Sequence, residues 1–152
     1  MLNIIAPILL ALTPAKDLTY VKVHVNNNQR IETIGGRDVT FGVKEEVEEL
    51  LVNKGYTPVD SGIALDVQVS IDSIYSPQEM LNIIGIQWLK KDYIVETSIC
   101  IGSSCFKAVG ERKTLVFAMF LNVENNEVPL NRKAFSKALQ DSLTKTTKQF
   151  KI

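Results

Sequence analysis

The stretch Asp38–Ile74, DVTFGVKEEVEELLVNKGYTPVDSGIALDVQVSIDSI, carries two different periodicities side by side. Val43, Val47, Leu50 and Leu51 recur at i, i+4, i+7 and i+8, one face of a helix, while Lys44, Glu45, Glu46, Glu48 and Glu49 fill the other face. Asp38 or Thr40 can serve as N-cap, since each carries an oxygen able to accept an orphan backbone N–H. Gly55 suits the left-handed position after the last turn, and Tyr56 can fold back on Leu51 as a Schellman ending requires. Pro58 stops the helix from resuming. Next, Ile63, Leu65, Val67, Val69 and Ile71 alternate with Ala64, Asp66, Gln68, Ser70 and Asp72, which predicts a strand with one buried and one wet face.

A strand buried on both sides would read as a continuous apolar run. The alternation therefore predicts helices on one side of the sheet only. The expected fold is α+β, a two-layer α/β sandwich. Its mixed three-to-five-stranded sheet carries two long helices on one face, in the order β-α-β-(short α)-β-β-α.

The rest of the chain supplies the remaining elements. Leu18–Val25 reads as the first strand, with Val21, Val23 and Val25 on one face. Asn26–Arg37 is a long polar connection, and Arg30, Gly35, Gly36 and Arg37 are its candidate functional residues. The diglycine lacks both the G-x-G-x-x-G and the Walker pattern, so a flexible turn is the better reading than a phosphate site.

Ser76-Pro77-Gln78-Glu79 is a capping box with proline at N1 and predicts a short helix. The residues after it are more apolar than a surface connection needs. Met80, Leu81, Ile83, Ile84, Trp88 and Leu89 are either a cover for the core, the start of the next strand, or a sticky surface for a protein partner or a membrane.

Tyr93–Ile101 alternates as a third strand, and Phe106 and Ala108 open its partner. Gly110-Glu111-Arg112 suggests a bulge or a second turn. Leu115–Leu121 is apolar on both faces, as in a central strand or a protein contact. Asn125, Asn126 and Pro129 end it. Asn131 can cap a last helix with Ala134, Phe135, Ala138, Leu139, Leu143 and Thr146 on one side, and with Lys145, Lys148 and Lys151 near its C-terminal dipole.

At 152 residues one domain is expected, covering residues 16–152. Seventeen basic against seventeen acidic residues leave no net charge, which argues against nucleic acid as a partner. Residues 1–15 contain no charged side chain and end in Thr13-Pro14-Ala15, small residues suited to a signal-peptidase site. A secretory signal peptide is expected there, and an N-terminal arm is the alternative.

Cys100 and Cys105 bracket Ile101-Gly102-Ser103-Ser104, a plausible hairpin tip, where facing residues can meet disulfide geometry. The alternative is two unlinked thiols. A metal site is disfavoured, because two thiolates would need partners and His24 is the one histidine.

Arg30, Ile34-Gly35, the helix ending Leu50-Leu51-Val52-Asn53-Lys54-Gly55-Tyr56 and the strand Ala64-Leu65-Asp66-Val67-Gln68-Val69 together resemble the YajG-type family of bacterial envelope lipoproteins. More loosely they are similar to N-terminal domains of the TolB kind. The resemblance covers roughly residues 18–75, with a weaker echo in the last helix. It implies an exported, non-catalytic accessory domain and supplies no catalytic residues. Two departures stand out. No cysteine precedes Cys100, so the lipid anchor of those proteins is not expected, and Asn26–Asn28 replaces an expected acidic residue.

No G-x-S-x-G or H-E-x-x-H pattern is present, and the carboxylates of 45–49 read as a solvated helix face. The expected function is protein–protein contact in the cell envelope, without catalysis, cofactor, metal or small-molecule ligand. Membrane contact through 80–89 is a further possibility. The alternative is a structural subunit of an oligomeric assembly, an appendage or virus particle, that keeps its N-terminus.

Overall fold

The computed structural model describes residues 20–27, 39–117 and 130–150. Strand β1 (Tyr20–Asn27) is followed by helix α1 (Thr40–Val52), the two-residue β2 (Thr57–Pro58), β3 (Leu65–Tyr75), β4 (Gln78–Ile83), β5 (Ile86–Ile101), β6 (Ser104–Phe117) and helix α2 (Arg132–Lys148). The broad α+β expectation with a mixed sheet and two helices holds. Among the described residues the strands form one six-stranded sheet, against the three to five expected.

β1 and β3 run parallel, with Val23 opposite Val67 and Val25 opposite Val69. β5 runs antiparallel to its neighbours and is the spine. β3 and β4 pair end to end along one side of it, and β6 lines the other side from Trp88↔Phe117 to Ile101↔Ser104.

α1 buries Val43, Val47 and Leu51 and half-buries Leu50, as the periodicity requires. Each full burial contributes roughly 1.5–3 kcal/mol before entropy is charged. Its C-terminus closes as a Schellman motif: Tyr56 N–H donates to Leu51 O at 3.0 Å, Gly55 N–H donates to Val52 O at 2.9 Å, and Gly55 has φ +88. The N-terminus differs from expectation. Thr40 is already helical, and the capping position is Val39, which makes no side-chain cap bond. Asp38 lies outside the described residues.

β3 begins two residues later than the alternation suggested. Its pairing with β1 starts at Val21↔Leu65, so Ile63 lies ahead of the ladder, beside Gly62 at φ +98, and is exposed. Val67, Val69 and Ile71 are buried. The register then shifts between Ile71 and Ser73. This bulge turns both Asp72 and Ser73 to the wet face, where Ser98 Oγ donates to Asp72 at 3.1 Å and Ser73 Oγ donates to Glu96 at 3.2 Å. It also brings Ile74 opposite Val95 and against the core.

α2 starts as the sequence reading held, with Asn131 accepting from Ala134 N at 3.1 Å. It buries Ala134, Phe135, Ala138, Leu143 and Thr146 into the core that also receives α1. At its centre Thr97 Oγ1 lies 2.7 Å from Ser142 Oγ and 3.2 Å from Thr146 Oγ1, so the buried hydroxyls satisfy one another.

Gly110 is neither a bulge nor a turn. It pairs with Val95 inside an unbroken ladder. α2 crosses directly above it, and a Cβ there would overlap the Ala138 carbonyl and the Ser142 amide. The glycine marks a close backbone approach.

Leu115 lies on β6, which has β5 as its one strand neighbour among the described residues, so the central-strand expectation fails there. Residues 118–121, the 1–15 segment, Leu18, the loop candidates Arg30, Gly35, Gly36 and Arg37, Asn125, Asn126, Pro129 and Lys151 lie outside the described residues.

Candidate functional site: the far end of the β4–β5–β6 sheet

Residues 76–89 do not form the short helix that their capping box suggested. Gln78–Ile83 pairs with Ile86–Lys91 as a hairpin, with Met80 opposite Leu89, Leu81 opposite Trp88, and Ile83 opposite Ile86. Cross-strand pairing wins because period two gives Leu89 a buried place facing the same side as Tyr93, Val95 and Ile99. A helix would scatter these side chains around its axis.

The turn is Ile84-Gly85, with φ +53 and +74. Positive φ at both central residues is the type I′ pattern that fits hairpin twist and that Asn-Gly usually fills. Ile84 is the one described non-glycine residue at positive φ, a strained position for a β-branched side chain. Its side chain is 95% exposed.

The register sorts the predicted contact residues onto two faces. On the helix side Met80, Leu89 and Val116 line up; Leu89 is buried and is removed from the candidate surface, while Met80 is exposed. On the opposite, open face lie Ile83 beside Ile86, then Leu81, Trp88 and Phe117 side by side, then Leu115 next to Lys90. The Trp88 and Phe117 rings meet with centroids 5.3 Å apart. Leu115 is 57% exposed on this face. Phe117 and Leu115 enter the surface only through the β5–β6 pairing. Their sequence signal was the two-sided apolar run after Thr114.

A charged belt bounds the apolar surface. Lys90 Nζ lies 3.4 Å from Asp92 and 3.5 Å from Glu79, and Lys113 lies 3.2 Å from Glu111. The hydrogen bond and charge of Asp92, then Glu79, raise the Lys90 pKa above its ordinary value, so Lys90 is charged at neutral pH. Lys91 Nζ sits 5.9 Å from the Tyr93 ring centre.

At the other end of β5, Cys100 and Cys105 face each other and are joined as a disulfide. The two-residue turn between them has Gly102 at φ +58, the position that favours glycine at the start of a hairpin turn.

Elsewhere the chemistry is sparse. Among the described residues no group of three or more His, Cys, Asp or Glu side chains gathers as a metal site. His24 Nε2 lies 3.4 Å from Asp66 on an exposed patch of sheet. A cleft between the helices is lined by Val39, Val43, Phe135, Leu139 and Leu143. Its carboxylate, Glu46, accepts from Gln140 Nε2 at 3.0 Å.

No family model matches the chain, and neither does any curated protein. The YajG-type likeness of residues 18–75 therefore remains a resemblance of sequence pattern. Among solved structures the chain is similar to a minor lipoprotein from Acinetobacter baumannii, at 10% identity and TM-score 0.44, covering 87% of each chain. It is also similar to the rare lipoprotein B from Shewanella oneidensis, at 14% identity and TM-score 0.40, covering 84% of this chain and 89% of that one. Likeness at this level leaves the function to be argued from the residues.

Proposed function

We propose that this protein is an exported, non-catalytic accessory protein of the cell envelope, and that it acts by protein–protein contact through the open face of the β4–β5–β6 end. We read its architecture as a two-layer sandwich whose sheet runs on past the helices at that end. The observation that carries the reading is Leu115, Trp88 and Phe117 grouped on the sheet face turned away from both helices. Leu115 is exposed there, and Trp88 and Phe117 are half-buried. An apolar surface rimmed by charges marks a contact site, and tryptophan is among the residues most enriched in contact hot spots. The Cys100–Cys105 disulfide supports an oxidising compartment.

A second reading, self-association, is favoured by the outer edge of β6. There α2 caps successive outward carbonyls: Gln149 Nε2 donates to Lys107 O at 2.8 Å and Lys145 Nζ donates to Val109 O at 3.2 Å. The outward groups of Lys113 and Leu115 receive no such bond from α2 among the described residues. An uncapped edge is a template for another strand.

Size-exclusion chromatography with light scattering on wild type and Leu115→Arg separates the two readings. A monomer in both samples favours a different protein as partner, and a wild-type oligomer dissociated by Leu115→Arg favours self-association. Intact mass of the protein recovered from its native source tests export. A mass short by a leader peptide and by two hydrogens agrees with export, and a reduced chain with its first residues retained overturns it.

A further inference from the structure

The hairpin apex asks for a different environment from the flat face beside it. At Ile83, Ile84, Ile86 and Met80 apolar side chains project from both faces of a two-stranded ribbon and from its turn. Ile83 and Ile86 are 45% and 44% exposed on one face, Met80 is 46% exposed on the other, and Ile84 is almost bare. A folded partner covers one face of a ribbon, whereas a fluid apolar phase surrounds all of them. Ile84 adds an argument of its own. Asn at that φ would cost little, yet the chain holds a β-branched apolar residue there against its backbone preference.

The order of residues along the ribbon is that of a membrane interface. The isoleucines come first, then Trp88 roughly 7 Å behind Ile86, then Lys90 and Lys91 beginning roughly 13 Å behind it, at about 3.3 Å per residue. Tryptophan favours the headgroup level, and lysines beyond it can meet anionic phosphates. The belt as a whole is balanced, with Lys90, Lys91 and Lys113 against Glu79, Asp92 and Glu111. Lys90 and Lys91 are its cations nearest the apex, where an anionic phosphate can take the place of a carboxylate partner. No helix among the described residues is long and apolar enough to cross a membrane.

The geometry points to the β4–β5 apex, Met80 with Ile83, Ile84 and Ile86, as an element that dips into the headgroup region of an anionic bilayer. It holds the protein with Trp88 at the surface and Lys90 and Lys91 against the phosphates. The inference shares Trp88, Ile83 and Ile86 with the open face assigned above to a protein contact and adds Met80, Ile84 and Lys91. Leu115→Arg tests the protein contact and Ile84→Asn the membrane contact, so either can fail alone.

The chain carries a single tryptophan, Trp88, which makes its fluorescence a local reporter. The test titrates the full chain with vesicles of phosphatidylcholine containing one-third phosphatidylglycerol, and with pure phosphatidylcholine. With the anionic vesicles, Trp88 emission is expected to shift blue and to be quenched by lipids brominated near the headgroup. Ile84→Asn keeps the turn, because Asn tolerates positive φ, and is expected to weaken partitioning roughly tenfold. Ile63→Asn, at an exposed isoleucine away from the apex, leaves it unchanged. The proposal is overturned if emission is indifferent to anionic vesicles, if Ile84→Asn partitions like wild type, or if pure phosphatidylcholine binds as tightly.

Discussion

Gly110 lies directly beneath Ala138, where the carbonyl oxygen of α2 occupies the space that a Cβ would need. The obstacle is backbone on both sides, so neither element can yield by a rotamer change. Gly110→Ala is expected to destabilise the fold by about 3 kcal/mol or more, the upper end of overpacking. Guanidinium unfolding checks this. A variant within about 0.5 kcal/mol of wild type would mean that α2 does not rest on β6 as described.

The disulfide closes a very short loop, and the chain-entropy model gives such a loop about 2 kcal/mol. Unfolding midpoints of wild type are expected to fall in reductant, toward those of a Cys100→Ser, Cys105→Ser double variant. The variant itself should not respond to reductant. A wild type equally indifferent to reductant would show that the thiols are not linked in solution.

Thr97 is the hub of the hydroxyl cluster under α2. Thr97→Val keeps the shape and removes the hydroxyl, while Ser142 retains its bond to Ala108 O at 2.9 Å and Thr146 its bond to Ser142 O at 2.9 Å. The expected loss is about 1–2 kcal/mol, because bonds are removed without stranding either partner. A double-mutant cycle with Ser142→Ala should return a coupling above about 0.5 kcal/mol. Additive losses would mean that the two hydroxyls do not interact.

Asp141 gives the pH dependence a sign. Lys145 Nζ lies 2.8 Å from its carboxylate. Its hydrogen bond, with smaller help from nearby charges and the Glu111 backbone, holds the Asp141 pKa below the ordinary carboxylate value. A folded pKa lower than the unfolded one means that the unfolded chain binds the proton more readily. The contribution is therefore complete above the ordinary carboxylate range and is lost as pH falls through the depressed folded value. Wild type should lose more stability than Asp141→Asn between neutral pH and pH ~2, with parallel curves above pH ~5. Identical acid limbs would remove Asp141 from the account. The effect should be small, since the pair is partly solvated.

Much of this fold could be read from local periodicity, and the failures have physical causes. Val43-Val47-Leu51 and Leu65-Val67-Val69-Ile71 announce their elements because each buries one face against one core. Ser76-Pro77-Gln78-Glu79 misled because a capping box is a local signal, and the turn that decides the hairpin uses Ile84-Gly85 where Asn-Gly would have announced it. The exposed apolar end of the sheet was legible as composition in Met80–Leu89. Leu89 could be assigned to the inside, and Leu115 and Phe117 to the outside, only once cross-strand register was known. Gly110 had a signal available, since an isolated glycine within a strand often means close backbone approach.

The sixteen residues of β5 run from the disulfide to the isoleucine turn without interruption, a path of roughly 50 Å along the chain at the rise of a strand. One continuous strand thus ties a covalently clamped end to an end where the backbone tolerates an unfavourable conformation. A load applied at the isoleucine turn would travel along hydrogen-bonded backbone to the opposite pole, so whatever is held at one pole has its distance and angle to the other set by the chain.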